Sequence, residues 1–167
     1  FYTVSLHDAL PIFATASECY AADIGVRGEQ IVQIGAQLGP GVREIDASGR
    51  VVTPGGVDAH CHLDQPMAPP VRMADDFNTG TRSAACGGTT TVIPFAAQAK
   101  GQSLRAAVAD YHQRANGKAH VDYAFHLIVS DPTPEVLEQE LPQLIAEGYT
   151  SFKIYMTRSE EHTSELQ

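Results

Sequence analysis

The sequence lacks the features that mark membrane, disulfide-rich and nucleic-acid-binding proteins. Its 167 residues include only three cysteines, without a spacing pattern, which indicates free thiols in a reducing compartment rather than a disulfide framework. No apolar run approaches the roughly 20 residues of a membrane span. Basic residues are scarce, 11 against 20 acidic ones, so the chain offers no basic surface to nucleic acid or to anionic membranes. We therefore expect a cytoplasmic protein with neither nucleic-acid nor membrane partners.

The two ends of the chain differ from its middle, which has the composition of an ordinary globular domain with a sizeable core. Ser5–Ile12 and Arg158–Gln167 match in-frame translations of common sequencing adapters, and stretches of this length are too long for chance. We interpret residues 1–12 and 158–167 as artefacts of that origin and exclude them from fold prediction. Resequencing the source locus tests this interpretation, and finding both segments encoded there would overturn it.

Short strand-like segments joined by tight turns fill residues 13–53. A Gly28-Glu29 turn and a Gly/Pro-rich loop separate segments such as Asp23–Arg27 and Gln30–Ile34. We expect small antiparallel strands here, forming a partial N-terminal β domain that is part of a small β-sandwich.

Strands and helices alternate in residues 54–157. The first apolar strand ends at His60, and the other three cover Thr89–Phe95, Val121–Val129 and Thr150–Met156. Helices are predicted to begin near Asp75 or Asp76, at Ser103 and at Thr133. The first helix ends at Gly87-Gly88 and the third at Gly148. The alternation predicts an α/β fold with right-handed crossovers and a parallel sheet. Four such strands fit either a small doubly wound sheet or half of a (β/α)8 barrel.

Two histidines, His60 and His62, stand two residues apart at the end of the first of these strands. Since a strand repeats every two residues, both imidazoles leave the same face and can bind one metal ion. Asp58 lies on that face and could orient an imidazole. Cys61 points to the opposite face, where a small core residue is expected. A His-x-His pair alone is weak evidence of a metal site, so a further ligand is needed.

Lys153 lies inside the apolar fourth strand, where burying its ammonium is costly unless the amine is paired or neutralised. The C-terminal ends of parallel strands, where His60 and His62 also fall, collect ligands in α/β folds. A lysine with a lowered pKa can add carbon dioxide, and the resulting carbamate is an anionic oxygen ligand able to bridge two metals. We therefore assign His60, His62 and Lys153 to one site.

These motifs together resemble the amidohydrolase superfamily and, within it, the hydantoinase and dihydropyrimidinase group. The matching stretches are Thr53–Pro66, Ala74–Thr81, Cys86–Ile93 and Ser151–Met156, and the resemblance covers about residues 13–157. It implies that residues 54–157 are the first four strands of a (β/α)8 TIM-like barrel, the N-terminal half of that barrel.

The resemblance also implies a site and an activity. His60, His62 and Lys153, the last as N6-carboxylysine, would be ligands of two divalent metal ions, usually zinc, with carbon dioxide consumed in the lysine modification. The full-length parent would hydrolyse the C–N bond of a small cyclic amide, by opening a hydantoin or dihydropyrimidine ring, and would be a homotetramer. The remaining ligands and the general-base aspartate are expected after position 157, and the oxyanion tyrosine is replaced by Arg158. We therefore expect the isolated chain to be inactive and unstable.

Several alternatives stay open within and beyond this group. An allantoinase is a close alternative, because no residue in this part of the protein indicates which ring substituent is recognised. A dihydroorotase is disfavoured. The corresponding motif of dihydroorotases is His-x-His-Leu-Arg, in which the arginine binds the substrate carboxylate. Asp64 takes the place of that arginine here and would repel a carboxylate substrate. A non-catalytic dihydropyrimidinase-like scaffold protein is disfavoured by the presence of all three ligand residues. The loop from Leu63 to Met73 borders the site and is expected to contribute to substrate choice.

Three further histidines are assigned to structural roles. His126, inside the third strand, is expected to be a core residue or a partner of a ligand, whereas His112 and His120 are expected to face solvent.

Overall fold

The computed structural model describes residues 2–4 and 12–155, in two compact units divided between Pro54 and Gly55. Most of the predicted adapter-derived segments, residues 5–11 and 158–167, lie outside the described residues, as does the predicted end of the fourth strand at Met156. Tyr2–Val4 forms a short strand. Backbone pairing is available to any extended segment, so the adapter interpretation stays a prediction.

The described residues of the first unit form seven short strands. They are β1 (Tyr2–Val4), β2 (Ile12–Ala14), β3 (Cys19–Ala21), β4 (Asp23–Arg27), β5 (Gln30–Gly35), β6 (Arg43–Glu44) and β7 (Val51–Val52). One sheet has the order β5-β4-β1-β6 and another the order β3-β2-β7. The β4–β5 hairpin turns at Gly28, whose φ of 62° suits glycine.

The expectation of purely antiparallel strands in this unit is wrong in two places. Strand β6 pairs with β1, and β7 pairs with β2, in parallel. Tight turns specify antiparallel pairing only between strands that are neighbours in the chain, as in β4 and β5. Strands β6 and β7 reach their partners through longer connections, which permit the parallel arrangement.

The second unit alternates strands and helices as predicted. Its elements are β8 (Gly56–Cys61), α1 (Phe77–Cys86), β9 (Thr89–Ala97), α2 (Leu104–Ala115), β10 (Asp122–Tyr123), β11 (His126–Ile128), α3 (Leu141–Ala146) and β12 (Phe152–Lys153). The predicted third strand is split into β10 and β11, which both pair with β9. All pairs in this sheet are parallel, and the spatial order from β8 to β12 follows the chain. A doubly wound sheet reverses its strand order, so this sequential order confirms the half-barrel.

Helix α1 is capped by Asp76, one of the two residues predicted for its start. The Oδ1 of Asp76 accepts hydrogen bonds from the backbone N–H groups of Asn78 (2.9 Å) and Thr79 (2.8 Å). The Thr79 hydroxyl in turn accepts one from the Asp76 N–H at 3.2 Å, which completes a capping box. At the other end, Gly87 caps the helix and Gly88 follows with φ 87°.

The third helical segment is less regular than the sequence predicts. It starts after Thr133, whose hydroxyl accepts a hydrogen bond from the Val136 N–H at 3.3 Å, as expected of an N-cap. Residues Val136–Glu140 are π-helical before α3 resumes the α-helical pattern. Because Pro142 has no N–H, the regular bond to the carbonyl of Glu138 cannot form, and a wider turn accommodates the missing donor.

The core of the second unit lies between the parallel sheet and its helices. Phe77 of α1 and Leu104 of α2 are fully buried beside Leu127 of β11. Leu63, just after the His-x-His pair, also belongs to this core and anchors the chain that leaves β8. Within residues 2–4 and 12–155, no helix combines the length and apolarity needed to cross a bilayer.

Candidate metal centre

The two histidines of the His-x-His pair lie side by side on one aromatic ring. His60 is in β8 and His62 follows directly after it; their ring centroids are 5.6 Å apart. The centroid of the Phe95 ring, near the end of β9, is 4.8 Å from that of His60 and 5.1 Å from that of His62. Both imidazoles therefore share the face that the strand period predicts.

Strand β8 can lie close to β9 because Gly55, the residue directly before it, has no side chain. A Cβ at Gly55 would overlap the side chain of Thr90, which is β-branched and rigid next to its own backbone. The other face of β8 carries Cys61, which packs against the core as predicted. Burial, with a smaller contribution from the Asp58 charge, raises the pKa of the Cys61 thiol to about 11. The thiol is thus protonated and directed away from the histidines.

Lys153 reaches the same aromatic ring from the opposite edge of the sheet. Its Nζ lies 4.5 Å from the centroid of Phe95 and 5.5 Å from that of Tyr155. Contacts of this length are within the range of cation–π attraction. The structure thus brings the two histidines and the lysine of the predicted site together around Phe95, although β9 and β11 separate β8 from β12.

A hydrogen bond selects the tautomer of His62. Its Nδ1 is 2.6 Å from Oε1 of Gln65, an amide oxygen that can only accept, so Nδ1–H donates. The neutral ring then has its lone pair on Nε2, which is the form required of a metal ligand. The sequence did not single out Gln65, although its place three residues after His62 is a usable signal.

Asp58 has a different partner from the one expected. Its Oδ1 accepts a hydrogen bond from the backbone N–H of His60 at 3.0 Å and so orients the main chain, not an imidazole. The strand pairing explains why: Asp58 is opposite Val92 and Cys61 opposite Pro94, so β8 has one residue more than β9 between these points. The extra residue is a β-bulge, which breaks the regular alternation of side chains.

His126 is a third imidazole on the same aromatic ring. Its centroid lies 5.0 Å from that of Phe95; Nδ1 is 2.5 Å from Oγ of Ser151 and Nε2 is 2.8 Å from the carbonyl oxygen of Ala59. The sequence left His126 as a core residue or as a partner of a ligand. The signal that distinguishes these roles is the register of β11 on β9, which pairs His126 with Phe95.

Asp64 does not present an open negative charge. Its φ is 48°, its carbonyl accepts a hydrogen bond from Nη1 of Arg114 at 3.0 Å, and its Oδ1 is 3.6 Å from the same nitrogen. Arg114 also donates from Nε to Oδ2 of Asp110 at 2.8 Å. Arg114 offsets only part of the Asp64 charge, because its closer ion pair is with Asp110, so the argument that Asp64 would repel a carboxylate substrate is weakened only in part. Beside this pair, the loop after His62 lines an open cleft of about 310 Å³.

The expectation that two other histidines face solvent holds for one of them. His120 is exposed. His112 is half-buried, with Nε2 2.6 Å from the hydroxyl of Tyr149 and its ring 5.0 Å from that of Phe125. Tyr149 is 37 residues away in the chain, so local sequence could not indicate this contact.

The donors gathered at Phe95 fit a divalent metal in part. Two imidazoles are typical zinc ligands, and His62 has the suitable tautomer. Among the described residues, no group of three His, Cys, Asp or Glu side chains is placed to hold a metal ion. Lys153 is the nearby group that could add an oxygen donor, because carboxylation would turn its amine into a carbamate.

Comparison with known proteins supports an enzyme family. The amidohydrolase family model matches residues 51–157. The D-hydantoinase of Rhizobium radiobacter is 49% identical over 142 residues, which cover 85% of this chain and 31% of that protein. A solved D-hydantoinase structure matches with a TM-score of 0.85 at 43% identity, covering 94% of this chain and 33% of that one. For the dihydropyrimidinase of Brevibacillus agri the TM-score is 0.83 at 42% identity, covering 92% and 33%.

The chain therefore spans about a third of the length of these relatives. The matched segment contains His60, His62 and Lys153, and it covers more than half of the chain. On this basis the chain belongs to the amidohydrolase family, and the relatives described above are two D-hydantoinases and a dihydropyrimidinase.

Proposed function

We propose that the full-length protein containing this chain is a metal-dependent hydrolase that opens a cyclic amide, either a hydantoin or a dihydropyrimidine. The observation that carries the proposal is the meeting of His60, His62 and Lys153 on the ring of Phe95, at the C-terminal ends of parallel strands. The names of the similar proteins, D-hydantoinase and dihydropyrimidinase, support the same substrate class.

In this proposal each of the three residues has its own role. His60 and His62 hold one of two divalent ions, which we propose to be zinc, through ring nitrogens. Lys153 contributes after reaction with carbon dioxide: the lone pair of the neutral Nζ bonds to carbon, a carbon–oxygen π bond becomes an oxygen lone pair, and one N–H proton passes to water. The resulting N6-carboxylysine would supply oxygen donors for the metal site.

The reaction itself is a hydrolysis. The metal ions, when bound, supply Lewis-acid activation of water and of the ring carbonyl. Overall, the oxygen of water bonds to the carbonyl carbon, the ring C–N bond breaks, and the leaving nitrogen takes a proton. Phe95, which is only 5% exposed, forms an apolar floor under the imidazoles.

We propose that the loop after His62 borders the substrate, because Gln65 in this loop contacts His62. Its cleft of about 310 Å³ is lined by apolar Met67 and Val71, by the guanidinium groups of Arg72 and Arg114, and by the carboxylates of Asp64, Asp75 and Asp76. Three carboxylates against two guanidinium groups disfavour an anionic substituent here, so the lining suits a neutral one. We propose that this loop contributes to the choice between hydantoins, dihydropyrimidines and the ureide ring of allantoin.

A ring-opening assay on the full-length protein tests the proposal. Hydantoin, dihydrouracil, allantoin and dihydroorotate are offered in turn, with and without prior removal of metal by a chelator and restoration by Zn²⁺. We expect hydantoin or dihydrouracil to be hydrolysed, with activity lost on chelation and regained with zinc. His60→Ala should abolish activity, whereas His120→Ala, a matched change at an exposed histidine, should not.

Other outcomes of the assay separate the alternatives. Preferential turnover of allantoin would make the protein an allantoinase. Turnover that survives complete metal removal, or the absence of turnover of all four rings with zinc bound, would overturn the proposal; the second result would favour a non-catalytic scaffold protein.

We further propose a cytoplasmic homotetramer. The described residues contain three free cysteines, Cys19, Cys61 and Cys86, which supports a reducing compartment. The tetramer follows from the family resemblance, and light scattering of the full-length protein tests it. A mass of four subunits is the expected result, and a stable monomer would contradict it.

A further inference from the structure

The bulge in β8 leaves backbone groups that the sheet does not pair. Between Asp58 and Cys61 the strand has one residue more than the facing segment of β9. That facing segment ends at Pro94, which has no N–H to donate. The Ala59 carbonyl lies in this exposed stretch, where a side chain can take the place of the missing sheet donor.

Two side chains make hydrogen bonds to the backbone groups of β8 that the sheet does not pair. The carboxylate of Asp58 accepts from the N–H of His60 at 3.0 Å, and His126 donates from Nε2 to the carbonyl of Ala59 at 2.8 Å. The carbonyl can only accept, so the proton of the neutral His126 ring is on Nε2. Its Nδ1 then accepts the hydroxyl hydrogen of Ser151.

The hydrogen bonds of His126 span the whole candidate site. Ala59 directly precedes His60, and Ser151 lies two residues before Lys153. The imidazole thus crosses the face of β9, over Phe95, and ties the strand that carries the histidines to the segment that leads into the lysine strand.

We propose that His126 is a positioning residue: it holds the bulge that aims His60 and fixes the spacing between the histidine pair and Lys153. This role rests on the proposed metal-dependent function, because its purpose is to set the geometry of ligands. Partners that orient metal ligands in this way typically change metal affinity or activity about 10- to 100-fold when removed.

Packing alone is the competing explanation, since the His126 ring also contacts Phe95. Three variants of the full-length protein separate the two explanations. His126→Phe keeps an aromatic ring but removes both hydrogen bonds. His126→Gln keeps an N–H near the position of Nε2 and can still donate to Ala59. Ser151→Ala removes only the hydroxyl on Nδ1 and leaves all ring packing in place.

The experiment measures Co²⁺ binding to each metal-free variant, the visible spectrum of the cobalt-loaded protein, and kcat and KM for hydantoin. We expect His126→Phe to bind Co²⁺ about 10- to 100-fold more weakly, with an altered spectrum and a fall in kcat at nearly constant KM. His126→Gln should restore most of the affinity and the spectrum, and Ser151→Ala should give a smaller loss. His120→Phe, the same change at an exposed histidine, serves as the control and should match the wild type.

The outcomes distinguish this inference from the proposed function. A folded His126→Phe protein with wild-type cobalt affinity and spectrum would overturn the positioning role, even if the wild type hydrolyses hydantoin. A folded His126→Gln protein as impaired as His126→Phe would overturn it as well. If His126→Phe does not fold, the comparison of His126→Gln with Ser151→Ala decides between the positioning role and packing alone. A wild type that hydrolyses no cyclic amide but shows the expected cobalt effects would refute the proposed function and leave the positioning role standing.

Discussion

Gln65 accepts a 2.6 Å hydrogen bond from Nδ1 of His62. This contact explains how a histidine at the start of a loop keeps one ring orientation and one tautomer. The loop itself is anchored on either side of Gln65, because Leu63 is buried in the core and the carbonyl of Asp64 binds Arg114. The fold therefore leaves the lone pair of the neutral His62 ring on Nε2, the nitrogen that we propose binds the metal.

Replacing Gln65 by Leu should weaken metal binding. Without an acceptor at Nδ1, the His62 ring can rotate or adopt the other tautomer, and we expect the affinity for Zn²⁺ to fall about 10- to 100-fold. Gln65→Glu keeps the acceptor and should bind at least as well as the wild type. Competition with a chromophoric chelator measures both affinities, and an unchanged affinity in the Leu variant would contradict this role.

Replacing Gly55 by Ala should disturb the start of β8. A methyl group here meets the side chain of Thr90, and overpacking of this kind costs about 1–3 kcal/mol of unfolding free energy. Adding Thr90→Gly should relieve the clash, so the double variant should be more stable than the sum of the two single changes predicts. Urea titration of the full-length protein measures all three, and strictly additive losses would show that the two residues do not meet.

Replacing Phe77 by Ala should remove a large part of the core of the second unit. The side chain is fully buried, and its ring lies 6.2 Å from that of Phe125 in an edge-to-face arrangement. We expect a loss of about 3–5 kcal/mol in unfolding free energy, with a smaller loss for Phe77→Leu. A urea titration in which the Ala variant lost less than about 1 kcal/mol would contradict this packing.

The stability conferred by the Asp76 cap should depend on pH. Hydrogen bonding, chiefly from the Thr79 backbone N–H, lowers the pKa of the Asp76 carboxyl below its ordinary value. A depressed folded-state pKa adds stability that is complete above the unfolded pKa of about 4 and is lost as the pH falls through the folded value. Asp76→Ala should therefore lower the Tm near neutral pH, and the difference from wild type should shrink in acid.

A second substitution at this position serves as the control for titration. Asn is also a good N-cap but does not ionise, so Asp76→Asn should keep its capping contribution in acid. Scanning calorimetry of the three proteins across the acidic range checks the trend. A difference between wild type and Asp76→Ala that is constant over this range would contradict it.

The sequence was sufficient for features that depend on local periodicity. The strand period of two placed His60 and His62 on one face, and the cost of a lysine in an apolar strand singled out Lys153; all three lie around Phe95. Helix caps were also predictable, since Asp76 and Thr133 bond to N–H groups within three residues of themselves.

Features that depend on the register between strands could not be predicted in the same way. The prediction that Asp58 orients an imidazole was wrong, because it relied on the alternation of side chains along β8, which a bulge against β9 breaks. The contacts of His126 with Ala59 and Ser151 join segments 67 and 25 residues apart. Such contacts follow from strand pairing across the barrel, which no local pattern in the sequence reports.

Anomalous diffraction at the zinc edge, from crystals of the full-length protein grown with Zn²⁺, tests the central claim most directly. The claim predicts zinc bonded to His60 and His62 at about 2.0–2.1 Å, with additional density for a carboxyl group on Nζ of Lys153 that contacts the metal. A zinc signal away from these histidines, or zinc at the histidines with an unmodified Lys153 amine turned away from it, would contradict the claim.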